Sequence, residues 1–189
     1  MEAAIPLLLL LGAVLAAPFV WFLINYNRFV TLRQHLRESW SDIGVEMQRR
    51  YDLIPNLVET VKGYASHEEQ VFRETAELRN QAMRNHGSAT EQAVDESALE
   101  IGVGRLLAVA EGYPELKADT HFLALQRELS NTEDRIAASR RFYNGNVREL
   151  NELREQFPAS LVAGVMGVER ASYFELTSEA ARRAPGWAN

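Results

Sequence analysis

RFVTLRQHLRESWSDIGVEMQRRYDLI, residues 28–54, decides how this chain folds. Its apolar side chains Phe29, Leu32, Leu36, Trp40, Ile43, Met47, Tyr51 and Ile54 recur at steps of 3, 4, 4, 3, 4, 4 and 3. That rhythm draws one apolar stripe along an α-helix, whose repeat is about 3.6 residues. Polar and charged residues fill the other faces. No stretch alternates apolar with polar residues as a half-buried strand does. The expectation is an all-α protein.

Toward the N-terminus the pattern changes abruptly. Ala3 to Asn27 is free of charge, and within it Ile5 to Ile24 is almost continuously apolar. As a helix, that run is long enough for the roughly 30 Å hydrocarbon core of a bilayer. A single transmembrane helix over residues 5–26 is therefore expected, with residues 1–4 as a short outer end. A cleaved leader fits less well. Its start would be basic, whereas Glu2 is acidic, and Pro18 directly follows the small pair Ala16-Ala17 where a cut would fall. Pro6 lies in the first turn, where a missing N–H costs little, whereas Pro18 is interior and should kink the helix. Arg28, Arg33 and Arg37 follow with no acid before Glu38. By the positive-inside rule that side is cytoplasmic, with the three arginines at the lipid headgroups and Trp21 and Tyr26 at the interface. Gly12 with Ala16, and Ala13 with Ala17, form two small-x-x-x-small pairs. Such pairs let membrane helices approach closely. With Trp21 they are candidates for self-association, although Ala and Gly are also simply common in membrane spans.

Toward the C-terminus the helical rhythm continues with interruptions. Pro55 pushes the residue before it out of helical space, which predicts a first helix over 28–51 and a second over 53–85, with Asp52 as its cap. Leu57, Val61, Tyr64, Val71, Phe72, Thr75, Leu78 and Ala82 face inward on the second. His86-Gly-Ser88 breaks it. Ser88-Ala-Thr-Glu91 reads as a capping box opening a third helix over 89–112, with Leu99, Val103, Leu106, Ala110 and Tyr113 inward. Asp119 caps a fourth over 119–157, with Phe122, Leu125, Leu129, Thr132, Ile136, Ser139, Tyr143, Val147 and Leu150 on its stripe. Four amphipathic helices with short connections predict an antiparallel up-and-down four-helix bundle over 28–157. Residues 158–176 form an apolar C-terminal segment. Its Leu161, Val162, Val165, Met166 and Val168 are interface candidates, able to dock on the bundle, touch lipid or meet a neighbouring copy. Residues 177–189 read as a mobile tail.

The composition narrows the chemistry. There are no cysteines, hence no disulfides and no thiolate metal sites. With 26 acidic against 20 basic residues, the net charge of −6 argues against nucleic acid as a partner. No nucleophile elbow, zinc-protease motif or phosphate-binding loop is present. Gly102-Val-Gly104 lacks the rest of a nucleotide fingerprint and reads as close helix packing. No histidine follows a Glu at the three-residue spacing of di-iron bundles. His67-Glu68-Glu69 reads as an exposed turn and Arg140-Arg141 as a solvated pair. No catalytic residue, cofactor or metal is expected.

Three stretches carry a resemblance. They are QRRYDLIPNLVETVKGYA (residues 48–65), GRLLAVAEGYPELKA (residues 104–118) and EDRIAASRRFYN (residues 133–144). With Trp40-Ser-Asp-Ile43, FPASLVAG (residues 157–164) and Tyr173-Phe174, the chain resembles the LemA family along nearly its whole length. It departs from the pattern at Gly145-Asn146, where a more helix-friendly pair is expected, and at residues 169–172, which lack a proline. The resemblance implies a bacterial protein of the inner (cytoplasmic) membrane, N-terminus outside and helical bundle in the cytoplasm. It implies no enzymatic residues. The leading expectation is a non-enzymatic scaffold that contacts membrane lipid and self-associates in a ring or array. The alternative is a monomeric tethered adaptor or sensor that recruits an unidentified protein partner, with a role in envelope stress.

Overall fold

The computed structural model describes residues 4–176, apart from the side chains of residues 4–11 and of Ala13. The expected outer end and the tail at 177–189 lie wholly or largely outside the described residues. The described chain is all α, in six helices with no strand among them. They are α1 (Ala4–Tyr64), α2 (Glu69–Arg84), α3 (Ala89–Glu111), α4 (Pro114–Ala118), α5 (Thr120–Glu155) and α6 (Ala159–Val165). Among the described residues no helix is long and apolar enough to cross a membrane. The expected span at 5–26 falls in part on side chains outside them.

The first correction is that α1 runs unbroken through Pro55 for 61 residues. A proline inside a helix leaves the carbonyl four residues earlier without its N–H donor. Here that carbonyl is Tyr51 O, and the Nε of Arg79 on α2 donates to it at 2.6 Å. A side chain from the next helix thus replaces the missing backbone donor, and the helix need not end. Asp52 is accordingly no cap. It sits inside α1 and accepts from Gln48 Nε2 at 2.8 Å. The turn into α2 comes instead at residues 65–68.

The other boundaries have visible causes. Ser88 and Glu91 form the reciprocal capping box at the start of α3. Asp119 Oδ1 accepts from the backbone N–H of His121 at 2.8 Å and of Phe122 at 2.9 Å, which opens α5. The short α4, unforeseen from sequence, has Pro114 in its first turn, where proline is at home. Gly145 and Asn146 do not interrupt α5.

A second correction concerns the bundle, which divides into two compact units. Among the described residues, one comprises residues 39–144 with 172–176, the other residues 4–38 with 145–171. In the first, α1 from Ser39 onward, α2, α3 and the early part of α5 make a four-helix bundle with Ile43, Ile54, Leu57, Val61, Leu99, Leu106 and Ile136 buried. α1 and α5 run antiparallel, as Arg49 pairs with Glu128 and Arg135 with Glu46. α2 and α3 form an antiparallel hairpin, its turn gathered by Asp95, which accepts from Gln81 at 2.7 Å and Asn85 at 2.6 Å. Gly102 lets these two helices close up, since a Cβ there would come within 2.7 Å of Leu78 Cδ1. Gly104, by contrast, faces open space.

The other unit packs the start of α1, the end of α5 and α6 around Phe29, Leu32, Leu150, Leu153, Val162 and Val168. Trp21, Phe22, Leu36 and Met166 lie against that cluster. α6 ends in a Schellman motif. Val168 N–H donates to Ala163 O at 2.9 Å and Gly167 N–H to Gly164 O at 3.3 Å, while Gly167 takes φ +58°, a conformation glycine adopts without strain. Asn151 grips the chain beyond it. Its Nδ2 donates to Ala171 O at 3.0 Å and its Oδ1 accepts from Ala171 N–H at 2.9 Å.

Candidate interaction surfaces and a buried polar cluster

The residues singled out in the N-terminal run present exposed surface. Gly12, Ala16 and Ala17 are exposed, and among the described residues nothing lies within 4 Å of the place a Gly12 Cβ would occupy. Ala13 lies outside the described side chains. Trp21 is half-buried against its unit's core. Around the small residues, Val14, Leu15, Phe19, Val20 and Ile24 are between 51% and 69% exposed. At 100° per residue these five positions go most of the way around the helix.

The three arginines differ from one another. Arg28 pairs with Glu149 at 3.5 Å with both side chains more than half exposed, an ion pair worth little in stability. Arg33 Nη2 donates to Gly167 O at 3.2 Å. Arg37 is exposed. The C-terminal candidates also separate. Val162 and Val168 are buried in the unit's own core and Met166 packs against it, so these three are not free interface residues. Leu161 and Val165 remain exposed, and Phe157 joins them.

Sequence reasoning missed a charged cluster inside the bundle. Arg50 and Glu96 are almost entirely buried, at 1% and 0% exposure. Arg50 Nη2 pairs with Glu96 Oε2, and Nη1 reaches both Glu133 oxygens at 3.0 and 3.1 Å. The other Glu96 oxygen accepts from the Tyr51 hydroxyl and from Gln92 Nε2, the latter at 2.7 Å. Gln92 also donates to Ala82 O at 3.1 Å, so one network joins α1, α2, α3 and α5. Arg50 Nε has no hydrogen-bond partner among the described residues. Burial pushes the Tyr51 hydroxyl up to about 12. The cluster carries one cation against two carboxylates. It has no nucleophile paired with a base, and among the described residues no group of His, Asp and Glu is placed to hold a metal. What the contacts do is tie residues of four helices to one another inside the bundle.

A cleft of about 270 Å³ adjoins the cluster, lined by Trp40, Gly44, Met47, Tyr51, Met83 and His86 among others. Trp40 rests edge-on to Phe174 at 5.5 Å and tilted against Tyr143 at 5.2 Å. Asn144 holds Phe174 as Asn151 holds Ala171, donating to its carbonyl at 3.0 Å and accepting from its N–H at 2.9 Å. At the far end of α1, the Tyr64 hydroxyl donates to Asp119 at 3.0 Å. That donor and, above all, the Phe122 N–H hold the Asp119 carboxyl below its ordinary value, while the Tyr64 hydroxyl is pushed up.

Comparison with known proteins places this architecture. The LemA family model matches residues 39–186, most of the 189-residue chain, and its first residue is that of the bundle unit. The chain belongs to the LemA family. It is 29% identical over 178 residues to magnetosome protein MamQ 2 of Paramagnetospirillum magneticum, covering 81% of this chain and 65% of that one. MamQ of Magnetospirillum gryphiswaldense is 27% identical over 185 residues, covering 85% and 68%. Protein LemA of Metamycoplasma hominis is 23% identical over 149 residues, covering 79% and 68%. This LemA-family chain thus spans about 65% of the length of its MamQ 2 relative. The buried cluster, the Tyr51–Arg79 contact and both asparagine grips lie inside the matched range.

Proposed function

We propose that this LemA-family chain is a non-enzymatic scaffold of a bacterial inner membrane. It is anchored by the uncharged start of α1, N-terminus outside, and works by self-association. The carrying observation is the uncovered apolar surface before Arg28, where Val14, Leu15, Phe19, Val20 and Ile24 are all more than half exposed. Each such side chain left in water forgoes more than half of the roughly 1.5–3 kcal/mol that full burial gives. A partner helix covers one face, whereas lipid covers every face at once. The Arg28, Arg33, Arg37 sequence then sets the orientation.

Self-association is supported by the exposed Gly12 and Ala16, whose spacing suits close helix approach within lipid. Identical anchors share one orientation in a membrane, so head-to-tail contacts make rings or open arrays. The MamQ relatives are named for a structure, the magnetosome, and not for a reaction. The test is the mass of the full-length protein in lipid discs. We expect a particle well above the 21.4 kDa of one chain, shrinking when Gly12 and Ala16 are both replaced by Leu. A monomer throughout the micromolar range would replace the scaffold with a tethered adaptor or sensor.

A further inference from the structure

We propose that the exposed face of α6, with Phe157 before it, is a second membrane contact that lies in the lipid interface beside the anchor. The inference rests on the anchor proposed above and goes beyond it by giving α6 a ligand, the headgroup and upper acyl region of the same leaflet. Its basis is where the helices of this unit place an uncharged segment. Arg28 on α1 pairs with Glu149 on the antiparallel α5. Six residues further toward the start of α1 is Phe22, and six further along α5 is Glu155, the last residue of that helix. Phe157 therefore emerges level with the uncharged part of α1. From there α6 runs back toward Arg33, which holds the Gly167 carbonyl at 3.2 Å. α6 straddles the level at which the anchor gives way to charged sequence.

One face of this segment is packed on the unit's own core and the other is uncovered. Ala159, Val162 and Ala163 are buried in the unit's core, with Trp21 and Phe22 against the same cluster. Phe157, Leu161 and Val165, spaced four apart, point outward at 82%, 62% and 76% exposure. Residues 157–168 contain no charge. A helix lying in the interface sinks apolar side chains about 5–10 Å into the headgroup–acyl boundary. A second protein copy is the weaker occupant, because three side chains fall far short of the roughly 800 Å² each partner gives a stable interface.

The absence of cysteine makes the test direct, since one introduced thiol is unique. The full chain carrying Leu161→Cys, Phe19→Cys or Val94→Cys is labelled with an environment-sensitive fluorophore. It is then reconstituted in phosphatidylcholine–phosphatidylglycerol vesicles containing brominated lipid. Val165→Cys stands in for Leu161→Cys if that variant loses its helical circular dichroism. The expected result is blue-shifted, bromine-quenched emission at positions 19 and 161, quenching at 161 being strongest with bromine high on the acyl chain, and unquenched, water-like emission at 94. Quenching at 19 with water-like emission at 161 overturns the α6 contact and leaves the anchor standing. Blue-shifted emission at 161 without quenching also overturns it and assigns the face to a second copy. Water-like emission at both 19 and 161 removes the anchor and the α6 contact together.

Discussion

Arg50 holds two carboxylates from α3 and α5 while almost fully buried, and Glu96 depends on it for charge balance. Removing one member of such a pair leaves a bare charge in the core. Arg50→Ala should lower unfolding free energy by about 3–5 kcal/mol. Replacing both partners with apolar residues, as in Arg50→Met with Glu96→Leu, should cost less than Arg50→Ala alone, because the fully buried carboxylate is then gone and the one left without its cation, Glu133, is 36% exposed to water. Denaturant midpoints of the two variants decide this, and an equal or larger loss for the double variant would contradict it. Tyr51 adds a pH signature. Its hydroxyl ionises near its ordinary value, 10.0, in the unfolded chain and near 12 in the fold. The stabilisation is thus complete below about pH 10 and is lost as pH rises from there through about 12. Tyr51→Phe should flatten that decline, which denaturant titrations at stepped pH would measure. The cluster was only half legible. The stripe Leu99, Val103, Leu106, Ala110 extends backward at steps of 3 and 4 to Glu96 and Gln92, so both share the register of the buried face. Glutamate is so rarely fully buried that its partner must be seen first, and Arg50 lies 46 positions away in sequence.

At the scale of the element, α1 shows why local signals misjudge a boundary. Pro55 is a sound reason to end a helix when only neighbouring residues are considered. The donor that cancels its effect, Arg79, belongs to another helix and cannot be inferred from spacing. This account predicts a specific coupling. Arg79→Ala should cost about 1–3 kcal/mol by leaving the Tyr51 carbonyl unpaired. In a Pro55→Ala background the new backbone N–H can bond that carbonyl, so the same Arg79→Ala change should cost clearly less. A double-mutant cycle showing no coupling would mean the contact does not hold α1 together at Pro55. The capping box at Ser88 and Glu91 was legible for the opposite reason, since its partners lie three residues apart. Leu57, 2% exposed, was read as inward from its stripe even though the helix around it was bounded wrongly. Side-chain periodicity survives such an error because the same face continues through the proline.

For the molecule as a whole, the helical stripes revealed the all-α class, but neither the place of the first reversal, which α1 passes without turning, nor the division at residues 38/39 and 144/145. Nothing in the apolar rhythm changes there, as Leu36 leads to Trp40 and Tyr143 to Val147 without a break in step. The C-terminal segment was ambiguous because it is apolar all around, and only contacts sort Val162 inward from Leu161 and Val165 outward. The unit containing α6 supplies the decisive whole-chain prediction. Full-length protein should remain with membranes through a carbonate wash, because the uncharged run up to Asn27 has no charged residue to oppose insertion. A chain starting at Arg28 keeps Phe29 and Leu32 in the core cluster and, among the described residues, gives up Trp21 and Phe22 from its edge. It should therefore fold and appear in the soluble fraction, with its end loosened where those two rings were. Full-length protein in the supernatant would refute the membrane reading. If the shortened chain also stays with membranes after the wash, attachment does not depend on the first 27 residues, and Phe157, Leu161 and Val165 become the surface that holds the protein there.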